Sequence, residues 1–263
     1  MEVIYEINPP KIFEGSTILN IDKLNQEIDK FLHRSKIILD YANHIHVTDS
    51  VLGIPRISSL HGAALVSENI KNKNIILSCS IRTRDRNINS IIQLATQSIF
   101  LNITELLFIM GDNPQINVDD VPLKILSKPT DAINMLNSLG YNKFINLNLS
   151  IPNKISNYNN FKKKINSNPH GLVTQSISSL QEVKDLKNLL NMHSIRLIPC
   201  VMVPSDKNRT ASQMIGLNFE NYKYNFMGFI QDIKKEVNQI LITSPNDFNE
   251  GIRTLKEIKN LNF

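Results

Sequence analysis

Short apolar runs, rich in β-branched residues and bounded by polar or turn residues, recur eight times along the chain. They are Val3–Ile7, His44–Thr48, Asn74–Ile81, Glu105–Met110, Phe144–Leu149, Leu172–Gln175, Arg196–Val203 and Gln239–Thr243. Each is too short for a helix and reads as a strand. Several are apolar almost throughout, the pattern of parallel strands covered on both faces. Amphipathic segments lie between them, at about Ile21–Ala42, Ile57–Ile70, Asn87–Phe100, Asp131–Leu139, Asn160–Asn166, Ser179–Asn191, Asp206–Leu217 and Asn246–Lys259. In the first, Ile21, Leu24, Ile28, Phe31, Ile38 and Ala42 form one stripe, with Ser35 filling its gap. Strand followed by helix, eight times, predicts an α/β fold: a single (β/α)8 TIM barrel over residues 1–263. A doubly wound open sheet is the alternative, but the Rossmann glycine fingerprint is missing. The Asn-rich stretch Asn153–Asn160 reads as a long loop after the fifth strand.

In a barrel of this kind the chemical groups sit at the carboxyl ends of the strands, where the βα loops build the site. Glu6 ends the first predicted strand, Thr48 and Asp49 the second, Asp112 the fourth and Gln175 the sixth, so all should meet at one mouth. The two acids stand in similar settings, "VIYEINPPK" and "ELLFIMGDNPQ". Asp before Asn-Pro is also a common turn former, which leaves Asp112 open to a plain structural role. Glu6 lies between Tyr5 and Ile7 on a strand expected to be buried. A buried carboxylate is costly unless paired or neutral, and a carboxyl kept neutral near pH 7 is a proton donor.

The chain has 263 residues, 41% hydrophobic and 20% charged, enough for the core of one large or two small domains. No run is long and apolar enough to span a bilayer. The first strand begins at Val3, leaving no room for a signal peptide. Only two cysteines occur, Cys79 and Cys200, both inside apolar runs. They read as buried free thiols, and a cytoplasmic protein is expected. The formal net charge of +5 suits an anionic cofactor as well as a nucleic-acid surface. The densest basic cluster is Lys162-Lys163-Lys164, and such a run is commonly a solvated helix face. His44 and His46 would share one face of a strand, but no third ligand is in view, so no metal site is expected.

The combination "EINPPK", "HVTDS", "TRDRN" and "IMGDNP", followed by "TQ" and "IP", resembles the methylenetetrahydrofolate reductase family over roughly residues 2–245. The resemblance implies a flavin-bearing barrel that holds FAD. It would reduce 5,10-methylenetetrahydrofolate, or a related methylene-pterin, to the 5-methyl form in one-carbon and methionine metabolism. NADH and NADPH are the candidate electron donors. By the same resemblance, Glu6 is the catalytic acid, Asp112 lies near flavin and folate, Gln175 contacts the pterin and Thr48 the flavin. Lys164 falls where the family has a lysine on the FAD phosphates, with Lys162 and Lys163 pointing elsewhere. There are departures. Ser80 stands where the family has a histidine beside the flavin, and Ser176–Ser179 replace bulky aromatics. Cys200 replaces a glycine, and the aromatic that stacks on nicotinamide is not identifiable. These departures keep two other functions open: a barrel passing a methyl group from a methyl-pterin to a corrinoid protein, and a non-catalytic flavin- or pterin-binding subunit. A homo-oligomer is expected, with an electron-donor or accessory subunit as a candidate partner and no nucleic acid or membrane.

Overall fold

The structure, a computed structural model, describes residues 1–13, 18–71, 74–113 and 127–261. Pro114 and Gln115, the end of the second Pro-bearing stretch, lie outside the described residues. Eight parallel strands close a barrel in chain order: β1 (Glu2–Ile7), β2 (His44–Val47), β3 (Ile76–Arg82), β4 (Glu105–Ile109), β5 (Asn146–Ile151), β6 (Gly171–Ser176), β7 (Arg196–Met202) and β8 (Gln239–Thr243). The ring closes where β1 pairs with β8, from Glu2 opposite Gln239 to Tyr5 opposite Ile242. Helices surround it: α1 (Ile21–Ile38), α2 (Ser59–Asn69), α3 (Ile88–Phe100), α4 (Pro129–Ser138), α5 (Tyr158–Asn166), α6 (Leu180–Leu190), α7 (Arg209–Met214), α8 (Glu220–Lys223), α9 (Phe226–Glu236) and α10 (Phe248–Asn260). The barrel predicted from periodicity is therefore the observed fold. No helix among the described residues is long and apolar enough to cross a membrane.

Local chemistry sets where the helices begin. Asn20, Ser58, Asn87, Asn157, Ser179 and Asp247 each accept a hydrogen bond from the backbone N–H three residues on. Each such cap contributes about 1 kcal/mol. The Asn157 cap places Tyr158–Asn160 inside α5, so the expected Asn-rich loop is shorter than predicted. Three further expectations shift. Ile21 opens α1 but is solvent-exposed; the packed stripe runs through Phe31, Ser35 and Ile38. Phe144 is exposed in the turn before β5 rather than within the strand. The segment expected at Asp206–Leu217 yields only the short α7, and the helix that packs on α6 is α9, with Ile230 and Ile233 buried.

Successive strand residues point to opposite sides of the barrel wall. The outward set, including Tyr5, Ile45, Val47, Cys79, Ile81, Leu106, Phe108, Leu147 and Leu149, packs under the helices as the main core. Each fully buried Leu, Ile or Phe there contributes about 1.5–3 kcal/mol. The inward set is not uniformly apolar, as β2, β3 and β5 place His, Ser, Arg or Asn at alternate positions. The lumen has three levels. At the strand starts is a polar ring, where Glu105 accepts from Arg196 Nη1 and Nη2 (both 3.1 Å) and from Asn148 Nδ2 (2.7 Å). Above it is an apolar plug of Ile4, Leu107, Val173, Ile198, Cys200 and Leu241. At the strand ends the lumen opens into a cavity.

Candidate active site at the barrel mouth

The cavity has a volume of about 660 Å³, and Leu107, Val173, Cys200 and Leu241 of the plug contribute to its floor. That size suits a ligand pocket, for which about 300–1,000 Å³ is usual. Glu6, Thr48, Ser80, Asp112 and Gln175 all line it. The strand ends thus bring five of the six sequence-predicted site residues to one place.

Glu6 is the inward-facing, penultimate residue of β1, between outward-facing Tyr5 and Ile7. Its Oε1 accepts a hydrogen bond from Thr243 Oγ1 at 2.7 Å, and among the described residues no cation pairs with it. Burial raises its pKa above the ordinary carboxylate range, only partly offset by the Thr243 hydroxyl. Glu6 is therefore an acid inclined to keep its proton at the cavity wall.

Asp112 does something different. It lies three residues beyond β4, exposed, and its Oδ2 accepts from Leu52 N at 2.9 Å. Leu52 and Ser50 both have positive φ, 59° and 43°, so the loop after β2 is held in a strained form against the cavity. Gly111, just before Asp112, has φ +82°, and a Cβ there would stand 2.8 Å from Arg82 Cγ and Nε. That close approach is why "MGDNP" needs glycine at this position. Arg82 completes the joint by donating to Ser50 O (3.2 Å) and Asp112 O (3.0 Å). The "TRDRN" residues build the rim: Arg86 Nη1 donates to Asp49 Oδ2 (2.7 Å), Arg84 Nε donates to Gly111 O (3.0 Å), and Asn87 caps α3. None of residues 83–87 is among those lining the cavity.

Thr48 is buried and donates to Asn8 Oδ1 at 2.7 Å. Ser80 is buried, with His46 Nε2 2.8 Å from its hydroxyl. Gln175 is exposed into the cavity at a register irregularity between β6 and β7. Lys164 is not brought to the cavity. It sits in the last turn of α5, and its ammonium donates to the carbonyl of Ser150. Burial lowers its pKa, whereas Lys162 and Lys163 are exposed. The cations that do line the cavity are Lys11, Lys30, Arg34 and Arg56, which the sequence reading did not single out. Their common signal was weak: Lys30 and Arg34 are four residues apart on the polar side of α1, a spacing that also describes any solvated helix face. Arg56 donates to Pro9 O at 2.6 Å, while its Nε is buried without a partner among the described residues.

His44 and His46 both point into the lumen, and no group of three His, Cys, Asp or Glu among the described residues is arranged to hold a metal. Comparison of the chain with family models and with curated proteins finds no match.

Proposed function

We propose that the barrel mouth is the active site of a flavin-dependent methylene-pterin reductase. The observation that carries this is the buried carboxyl of Glu6, whose pKa burial raises, at a cavity that also holds Asp112 and Gln175. The bridging carbon of 5,10-methylenetetrahydrofolate is a poor hydride acceptor until its five-membered ring opens. Protonation at N10 opens the ring and leaves an electrophilic iminium at N5. A positioned acid of raised pKa suits that step, and Glu6 is the group that would give the proton. The Asp112 carboxylate would balance positive charge on the pterin. The Gln175 amide, with both donors and acceptors, suits the pterin's amide edge.

The residues present fit FAD. Lys11, Lys30, Arg34 and Arg56 match a pyrophosphate, and the unpartnered Nε of Arg56 is a buried donor awaiting an acceptor. FAD, when bound, would supply the hydride-transfer chemistry, and the apolar residues of the cavity floor would exclude water. On this reading Lys11, Lys30, Arg34 and Arg56, rather than Lys164, would hold the phosphates.

The test is direct. The purified chain is titrated with FAD and followed by absorbance, then assayed in two half-reactions. Binding is expected, and Glu6→Gln should abolish methylene-pterin reduction while leaving flavin reduction by the donor nearly intact. A chain that takes up no FAD refutes the proposal, as does equal loss of both half-reactions. Methyl transfer to cob(I)alamin without any flavin would establish the methyltransferase reading instead.

A further inference from the structure

A seam of polar side chains climbs the barrel wall past the apolar plug and joins the two ends of the lumen. At the strand starts, Arg196 Nη1 donates to Gln239 Oε1 (3.0 Å), and Gln239 Nε2 donates to Glu2 Oε2 (2.6 Å). Glu2 Oε1 is 2.7 Å from His44 Nδ1, and His44 Nε2 is 2.9 Å from Ser78 Oγ. The same Ser78 Oγ is 2.9 Å from His46 Nδ1, and His46 Nε2 is 2.8 Å from Ser80 Oγ. Glu2 is 32% exposed at the amino-terminal end, whereas Ser80 lines the cavity at the other. Both histidines between them are buried.

Hydrogen counting constrains every joint. Arg196 can only donate, so the Gln239 oxygen faces it and the Gln239 NH2 faces Glu2. A carboxylate can only accept, so the hydrogen between Glu2 and His44 resides on Nδ1. A neutral His44 then has a bare Nε2, which takes the single hydroxyl hydrogen of Ser78. Ser78 has no second hydrogen, so His46 Nδ1 must donate to it. His46 Nε2 is then bare and takes the hydrogen of Ser80. Burial pushes the pKa of His46 down to about 3, so its ring carries one hydrogen and not two at neutral pH. Ser80 is left offering only lone pairs to the cavity.

We propose that Ser80 is a hydrogen-bond acceptor in the cavity wall, selective for a ligand N–H or O–H, and that the Glu2–His44 pair at the far end of the barrel sets this polarity through Ser78 and His46. A second proton on the pair inverts the seam. Each hydrogen moves one place toward Glu2: from Ser80 to His46 Nε2, from His46 Nδ1 to Ser78, and from Ser78 to His44 Nε2. Ser80 takes the incoming proton from the cavity, and its O–H becomes a donor there. Among the described residues, the charged and titratable groups interacting with the pair are Arg196 on β7 with its partner Glu105 on β4, and His46 on β2 itself, while the amino-terminal Met1, Asp40 and Lys259 line the same hollow as Glu2. The proposal holds for whatever ligand occupies the mouth and does not depend on the flavin reading.

Nitrogen NMR of the full chain labelled with 15N-histidine decides it, because the two neutral imidazole tautomers have distinct ring-nitrogen shifts. At neutral pH His44 and His46 are both expected as the Nδ1–H form. In Glu2→Gln, Arg196 still fixes the Gln239 amide, so the new amide must turn its oxygen to Gln239 and its NH2 to His44 Nδ1. Both histidines should then appear as the Nε2–H form. Ser78→Ala should uncouple them, so that His46 no longer responds to Glu2→Gln. A wild-type His46 in the Nε2–H form overturns the proposal even if no variant folds. So does a His46 that stays Nδ1–H in Glu2→Gln, or one that still follows residue 2 when Ser78 is replaced.

Discussion

Glu6→Gln separates the cost of burying a carboxyl from its proposed use in catalysis. Gln keeps the oxygen that accepts from Thr243 and loses the ionisable proton. Burial raises the folded-state pKa of Glu6 above its unfolded value. Between those two values the folded state binds a proton that the unfolded state has released. Stability from this group is therefore complete below the unfolded pKa and is lost as pH rises through the folded one. The limiting slope is about 1.4 kcal/mol per pH unit for one proton. The gap between Glu6→Gln and wild type should thus widen with pH across the window, in favour of the variant, and become flat above it. All other titrations are common to both proteins and cancel in the difference. Urea unfolding at a series of pH values from mildly acid to alkaline measures it. Parallel curves would show that Glu6 titrates normally, and its assignment as a protonated acid would fall with them. If Glu6 is the general acid proposed above, its removal should cost roughly 10²–10⁴-fold in turnover. A stabilised but inactive variant is the combined signature expected.

Tyr5 offers a second case, since its hydroxyl is buried with no hydrogen-bond partner among the described residues. Tyr5→Phe should stabilise the fold by about 1–2 kcal/mol, read as a higher urea midpoint at unchanged m-value. Asp49, buried and accepting from both Arg86 Nη1 and the Arg82 N–H, should be costly to remove: Asp49→Ala is expected to lose about 3 kcal/mol and to disorganise the mouth, seen as weaker ligand binding beyond the loss of stability. Cys79 is fully buried, and burial raises its thiol pKa, so it should react with a disulfide reagent only as fast as the protein unfolds. Rapid labelling of Cys79 in the native protein would contradict this.

The barrel was legible because its strands and most of its helices each carry one period over their own length. The helix that covers α6 was missed although its stripe, Phe226, Phe229, Ile230 and Ile233, has helical spacing. The short α7 lies within the window where one crossover helix was expected, and the chain then spends residues 215–225 on turns and the four-residue α8. The site was legible where it depends on strand ends: Glu6, Thr48 and Gln175 follow from strand termination, whereas Ser80 was reached only through the family resemblance. Two features were not. The cavity cations reach the mouth from α1 and the loops after β1 and β2, a convergence that only tertiary packing creates. For Lys164, the family resemblance placed it near the ligand, but the last turn of α5 and the Ser150 carbonyl hold its ammonium at the β5 wall.

The polar ring at the strand starts bears on how the chain folds. Glu2 and Gln239 are separated by 237 positions, and Arg196 and Glu105 by 91. Such contacts form only once the sheet has curled nearly all the way round, so they are expected to be absent from the folding transition state. Interactions of that kind slow unfolding without hastening folding. A partly wound sheet would also show water a rim of carboxylate, guanidinium, imidazole and amide groups, not a strip of leucines. Exposed apolar edges are what make such intermediates aggregate, so this rim should keep half-formed barrels dispersed while the last strand finds the first.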